Sequence, residues 1–173
     1  MKALALTDKK RLSIIEMRDP VPGRNDVLIR VDAVGLCGTD FHIFEGEANY
    51  NFDAHGRQLP LSEHPQILGH EMCGTVVDTG IDVRGLSAGD RVVVDQGINC
   101  ASRGRKAAER CEYCQTGASH QCIDYQELGI TGRQGGLADL VSVPAVNAIR
   151  ISGNISSEEA ALAEPLGCII HAS

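Results

Sequence analysis

The sequence predicts a mainly β domain of the sandwich or barrel kind, with short helices gathered toward its C-terminal end. Short β-branched runs recur between turns marked by Gly and Pro, the pattern of antiparallel strands in such folds. The composition agrees: 19 Gly accompany only three Phe, three Tyr and no Trp, so a core must be packed from Val, Ile, Leu and Ala. Helical periodicity is confined to the stretch SSEEAALAEPLGCIIHA near the end. At 173 residues and 43% apolar content the chain has about one domain's length and enough apolar surface for a core.

Taken in order, Lys2 to Thr7 reads as the first strand, and Pro20 to Gly23 as a turn. Asp26 to Leu36, DVLIRVDAVGL, is the longest β-branched run, and Cys73 to Asp78 is a further strand. Turns at Gly80 and at Gly85 to Gly89 lead into Asp90 to Asp95, DRVVVD. Gly132 to Gly136 marks another turn before a strand over Ala138 to Val143. In the C-terminal stretch, Ser156 or Ser157 caps a helix whose first turn carries Glu158 and Glu159, matching the positive end of the helix dipole. A residue before proline is pushed out of the α region, so the sequence predicts a break at Glu164 with Pro165 opening a second helical piece.

Charge narrows the function. Sixteen basic against 23 acidic residues give a net charge of −7 spread along the chain, which argues against nucleic acid or an anionic membrane as partner. The longest apolar run is four residues, far below the ~20 needed to span a bilayer, and MKALALTDKK lacks the apolar stretch of an export signal. A cytoplasmic, soluble protein is the expectation. Its seven cysteines would then stay reduced, and an odd number suits metal ligands and core thiols better than a disulfide framework.

Cys100, Cys111, Cys114 and Cys122 form C-x10-C-x2-C-x7-C. Four thiolates from one looping segment satisfy the tetrahedral preference of zinc and leave no open position, so this site reads as structural, a staple for a lobe over 97–123 too polar to fold alone. Unrelated thiols are the plain alternative; a redox C-x-x-C would leave Cys100 and Cys122 unexplained. Arg103, Arg105, Lys106 and Arg110 lie between the first two cysteines, either offsetting the charge of a tetrathiolate zinc or forming a solvated loop.

A second constellation is less local. Cys37 follows a strand in the bend GLCGTDFH, Gly69-His70-Glu71 supplies an imidazole and a carboxylate, and Glu164 adds another carboxylate at the predicted helix break. Thiol, imidazole and carboxylate with a vacant position make a catalytic type of zinc set. Separations of 33 and 94 residues carry no local signature, and a buried cysteine or a core histidine accounts equally well for each residue alone.

GLCGTDFHIFEG, HPQILGHEMCGTVVDTG, the GDRVVV strand before the cysteine lobe, and EEAALAEPLGCIIHA occur in an order that resembles the N-terminal catalytic domain of zinc-dependent medium-chain alcohol and polyol dehydrogenases. The resemblance spans nearly the whole chain. It implies a GroES-like, partly open β barrel over 1–155, a helical connection over 156–173, and beyond it a Rossmann domain binding NAD or NADP. It implies Cys37 and His70 as catalytic zinc ligands, with Glu71 and Glu164 as the candidate carboxylates, one direct and the other through water or only intermittently. Thr39 matches the hydroxyl that passes on the alcohol proton, and His42 extends that relay. A glutamate in place of a second cysteine points to the polyol, sugar and threonine branch, with a small alcohol or polyol as substrate and a homo-oligomer when full length.

Two departures stand out. Ten residues separate Cys100 from Cys111 where the family has two, and a long stretch, EGEANYNFDAHGRQLPLSEHP, joins the zinc motifs. Phe41, Phe44, Tyr50 and Phe52 lie in or beside that stretch, either walling a substrate cleft or pinning the loop. His55, His64, His120 and His171 read as non-ligands, and Cys73 and Cys168 as core thiols. No two glycines are separated by a single residue, so the chain contains no G-x-G-x-x-G dinucleotide turn. The expectation is a truncated enzyme, inactive alone; the alternative is a stand-alone zinc-binding interaction module whose apolar strip Leu166, Ile169 and Ile170 is covered by a partner.

Overall fold

A computed structural model describes residues 1–53 and 55–172; Ala54 in the long loop and Ser173, the last residue of the expected connection 156–173, lie outside the described residues. The chain forms β1 (Lys2–Asp8), β2 (Arg11–Glu16), β3 (Asp26–Gly35), α1 (Gly38–Glu45), β4 (Gln66–Ile67), β5 (Glu71–Thr79), β6 (Arg91–Val94) and β7 (Gly97–Ile98). After these come α2 (Glu112–Gln115), β8 (Gln126–Leu128), β9 (Gly132–Arg133), β10 (Leu140–Pro144), β11 (Ala148–Arg150), α3 (Ser157–Ala161) and α4 (Ala163–Ala172). The mainly β expectation holds. No helix among the described residues is long and apolar enough to cross a membrane.

Three sheets form, in the orders β2-β1-β4, β10-β3-β5-β6-β11 and β7-β8-β9. The five-stranded sheet is antiparallel throughout, and its long β3–β5 pairing runs from Val27 opposite Thr79 to Gly35 opposite Glu71. Its core follows the period of two. Val27 and Ile29 on β3, Met72 and Val76 on β5, and Val92 and Val94 on β6 pack with Ile98, Leu128, Val141 and Val143 in one buried cluster. Burying each such side chain contributes about 1.5–3 kcal/mol. The opposite face is covered too: Cys73 and Val93 pack beneath Ala160 and Ala161 of α3, where small side chains let the helix approach the sheet. Cys73 is therefore the core thiol that the sequence suggested.

Several boundaries moved. β10 begins at Leu140 rather than Ala138, which makes only an isolated bridge to Ala3. β2, β4, β7, β8, β9 and β11 went unread in the sequence; all but β2 are two or three residues long and exist through their pairing partners. Ser156 does cap α3, its hydroxyl accepting from the Glu159 backbone N–H at 3.2 Å while the Glu159 carboxylate accepts from Ser156 N–H at 3.0 Å. The helix break lies at Leu162 and not at Glu164, a correction with a simple cause. Glu164 and Pro165 fall in the first turn of α4, where a missing N–H breaks no intrahelical bond.

The glycines over 132–136 position the site rather than bind a nucleotide. Gly135, Gly136 and Leu137 donate to the carbonyls of Ile67, Gly69 and Leu68 at 2.7–3.0 Å, clamping the segment that ends in His70. A Cβ on Gly135 would collide with the Leu68 and Gly69 carbonyls.

Candidate metal centres

Cys37 leaves β3 in extended conformation and becomes the N-cap of α1. Three residues on, buried Asp40 turns back: its Oδ2 accepts from the Cys37 backbone N–H at 2.9 Å, and its Oδ1 accepts from the Gly69 N–H at 3.1 Å. One carboxylate thus ties the start of α1 to the loop before β5. The same Oδ1 lies 3.7 Å from His70 Nδ1, on the side of the ring where a carboxylate orients a metal-ligating histidine. Gly69 has φ of 87°, which lets the chain turn so that His70 enters the interior immediately before β5.

This geometry brings Cys37, His70 and Glu71 together, their ligand atoms all within 4.8 Å of one another. His70 is 2% exposed, its Nδ1 without a hydrogen-bond partner among the described residues. Burial pushes the Glu71 carboxyl above its ordinary range, and neighbouring Glu164 and Asp40 push in the same direction against the His70 imidazole. A desolvated carboxyl, a buried imidazole and a thiol at one point, with no Lys or Arg among the described residues lining their cavity, suit a small dication such as zinc. Glu71 occupies the space over Gly35, its pairing partner on β3, where any Cβ would collide with the carboxylate. Gly35→Ala is therefore expected to displace Glu71 and lower zinc occupancy of this centre at least several-fold, with the cysteine lobe still loaded; metal analysis after mild chelation checks it.

The cluster opens into a cavity of about 550 Å³. Thr39 lines it, with Oγ1 3.8 Å from Cys37 Sγ. Glu164 lines it as well but stands outside the three-residue cluster: its Oε1 accepts from Gln96 Nε2 at 2.9 Å and from the Cys168 thiol at 3.4 Å. Cys168 is exposed and borders this cavity, correcting its expected place in the core; four residues after Glu164, it shares that residue's helix face. His42 lies outside the cavity on the exposed side of α1, with Nδ1 2.6 Å from Glu47 Oε2. The aromatics divide between the two expected roles: Tyr50 lines the cavity, Phe44 packs beside Ile43 and Leu68, and Phe41 and Phe52 are exposed. His55 and His64 face solvent.

Asp40, Gln96 and Glu127 were not recognised in the sequence. Asp40 had a signal, the three-residue spacing of an N-terminal cap. Gln96 and Glu127 had none, since each reaches the cavity from a strand or turn remote in sequence. Glu127 is half-buried on β8, and burial raises its carboxyl above the ordinary value of 4.5. The folded chain then binds that proton more tightly than the unfolded chain, so this contribution to stability is present below 4.5 and is lost as pH rises through the folded value. Glu127→Gln is expected to raise the urea midpoint of the metal-free protein near neutral pH more than near 4.5.

The second centre is closed. The Sγ atoms of Cys100, Cys111, Cys114 and Cys122 lie within 4.8 Å of one another, and all seven cysteines of the chain are free of disulfides. A hydrogen bond from the Cys114 backbone N–H leads the effects that lower Cys111 to about 6, while burial pushes Cys114 up to about 12. Among the four cations between the first two cysteines, Arg105 reaches sulfur: its Nη1 donates to Cys100 Sγ at 3.4 Å and its Nη2 pairs with Asp124 at 2.8 Å. Arg103 bonds instead to Gln126 and the Ile98 carbonyl, and Arg110 to the Arg105 carbonyl. The long insertion thus braces itself with three arginines, one of which faces the thiolates. His120 stays apart from the sulfurs, its ring 4.9 Å from that of His171.

Comparison with known proteins agrees with this architecture. The family model for the alcohol dehydrogenase GroES-like domain matches residues 23–153. The L-threonine 3-dehydrogenase of Shewanella sp. (strain W3-18-1) is 35% identical over 99% of this chain and 46% of its own length, so the chain spans about half of the curated relatives it matches. Galactitol-1-phosphate dehydrogenase from Escherichia coli superposes with a TM-score of 0.81 at 26% identity, covering 99% of this chain and 44% of that one. The cobalt- and zinc-bound thermostable alcohol dehydrogenase from Pyrobaculum aerophilum gives 0.76 at 30% identity, covering 95% and 44%. This chain belongs to the alcohol dehydrogenase GroES-like domain family.

Proposed function

We propose that residues 1–155 form the metal- and substrate-binding domain of a zinc-dependent dehydrogenase, with 156–173 connecting it to a Rossmann domain. The enzyme moves hydride between a secondary alcohol, polyol or sugar and NAD or NADP. The observation that carries this reading is the meeting of Cys37, His70 and Glu71 on the floor of an open cavity that Thr39 also lines.

Cys37, His70 and Glu71 would hold the catalytic ion, and Glu164, held by Gln96 and Cys168, would be the second, indirect carboxylate. When bound, zinc supplies Lewis acidity that lowers an oxygen-bound proton's pKa from ~16 toward ~7. The remaining work belongs to the chain. Asp40 holds the Cys37 and Gly69 backbone N–H groups beside the His70 ring; Thr39 Oγ1 accepts the alcohol proton as it passes its own on, and His42, three residues further along α1 and open to water, is the exit. Cys100, Cys111, Cys114 and Cys122 hold a structural zinc that stiffens the lobe beside the cavity. A cytoplasmic setting suits the free thiols, and homo-oligomeric assembly follows the family likeness.

The test is NAD(P)-dependent oxidation of secondary alcohols by the full gene product, with Thr39→Val and Cys37→Ser variants. Loss of kcat by about 100-fold or more in Thr39→Val with metal content intact supports the assignment. Undiminished turnover in Cys37→Ser would overturn it.

A further inference from the structure

The ten residues between Cys100 and Cys111 do more than join two ligands. A loop of that length costs conformational entropy to close, yet this one is folded back on its first cysteine. The Arg105 backbone N–H donates to the Cys100 carbonyl at 3.0 Å, the Gly104 N–H to the Ala101 carbonyl at 2.9 Å, and Arg110 Nε to the Arg105 carbonyl at 3.3 Å. Gln115 Nε2 in turn donates to the Arg110 carbonyl at 2.6 Å, fastening the loop to α2.

These bonds aim one cation at one sulfur. Arg105 Nη1 donates to Cys100 Sγ at 3.4 Å while its Nη2 pairs with Asp124 Oδ2 at 2.8 Å, so the guanidinium joins the first cysteine of the lobe to a residue just past the last one, Cys122. Cys100 is buried, and the Cys111 backbone N–H donates to the same sulfur at 3.4 Å. Arg103 and Arg110 carry the same charge in the same loop but turn to backbone carbonyls and to Gln126. A zinc dication among four thiolates is left with excess negative charge, which a fixed, charged donor at one sulfur disperses.

Resting on the structural-zinc reading above, we propose that Arg105 retains the ion of the cysteine lobe: its guanidinium, held by Asp124, clasps Cys100 Sγ and slows loss of the metal. Asp124 offsets the charge of Arg105, so the directed N–H···S bond carries the effect rather than net charge in the loop. The long insertion thereby supplies an outer-shell partner to the closed centre. Arg105 is a positioning residue for that centre and takes no part in proton or hydride transfer.

Cobalt(II) is loaded into the full gene product and brief chelation empties the open Cys37, His70 and Glu71 centre, so that sulfur-to-cobalt absorption reports the closed one. Excess EDTA then removes the remaining ion, and decay of that absorption gives the release rate. Arg105→Ala is expected to speed release by about ten-fold or more, the scale of lost outer-shell partners. It should also move the absorption to longer wavelength, because a sulfur freed of its donor gives up an electron more readily. Arg105→Lys keeps the charge without the planar fork and should recover only part of the rate, and it keeps the test readable if Arg105→Ala does not fold. Arg103→Ala removes an equal charge beside the site and should leave the absorption where it is. An unchanged rate or wavelength in Arg105→Ala, or an equal shift in Arg103→Ala, overturns the proposal with the metal site standing. Failure of Cys100, Cys111, Cys114 and Cys122 to hold cobalt defeats the underlying reading, and the proposal with it.

Discussion

Cys111→Ser is expected to release the structural metal and unfold the lobe over 97–123, with loss of stability larger than any single core truncation here would cause. The lobe has little core of its own; Cys100 and Cys122 are buried at the sulfur cluster, buried Ser102 bonds to the Gly97 carbonyl and the Asn99 N–H, and α2 is four residues long. A closed zinc site contributes on the order of 10 kcal/mol of apparent binding energy near neutral pH, comparable with the ~5–15 kcal/mol stability of a whole domain. Cys111 is the informative choice because backbone N–H groups hold its thiol below the ordinary range, at about 6. Limited proteolysis should cut the variant between Cys100 and Cys122, and far-UV spectra should keep the signal of the five-stranded sheet. Because thiolates compete with protons for the ion, acid should release this metal as well.

Asp40→Ala should have the next largest effect, through two backbone groups rather than through the metal directly. The substitution leaves the Cys37 and Gly69 N–H groups unpaired inside the protein, at about 1.5–3 kcal/mol for each charged hydrogen bond lost. It also removes the carboxylate that lies 3.7 Å from His70 Nδ1. Denaturant unfolding should show the loss in metal-free protein, and zinc affinity at the Cys37, His70 and Glu71 centre should fall by about 10–100-fold, the range for lost outer-shell partners. Asp40→Asn, which keeps one acceptor oxygen, should recover part of the stability but less of the affinity.

β1, β3, β5, β6 and most of β10 were legible because apolar and β-branched runs bounded by turn residues mark strands buried in a sheet. Strands such as β8 and β9 were not, since two or three residues hold no period and form only because a neighbour is already in place. The cysteine lobe was readable from spacing, as all four ligands come from one segment. The other centre depends on β3–β5 register, which sets Gly35 opposite Glu71, and on one buried aspartate. Wording of motifs carried the sequence reading where spacing could not. Glu127 and Gln96 reach the cavity only through folding, and so does Cys168, which the sequence reading placed in the core.

Metal content of the intact protein tests the central claim most directly. The chain should hold two zinc ions, one per cluster, and chelator should remove the ion of the open Cys37, His70 and Glu71 site first. Cys37→Ala with His70→Ala should leave one zinc that resists the same chelator. A natural protein that holds no more than the cysteine-lobe ion under saturating zinc, or a double variant that still binds two, would contradict the account.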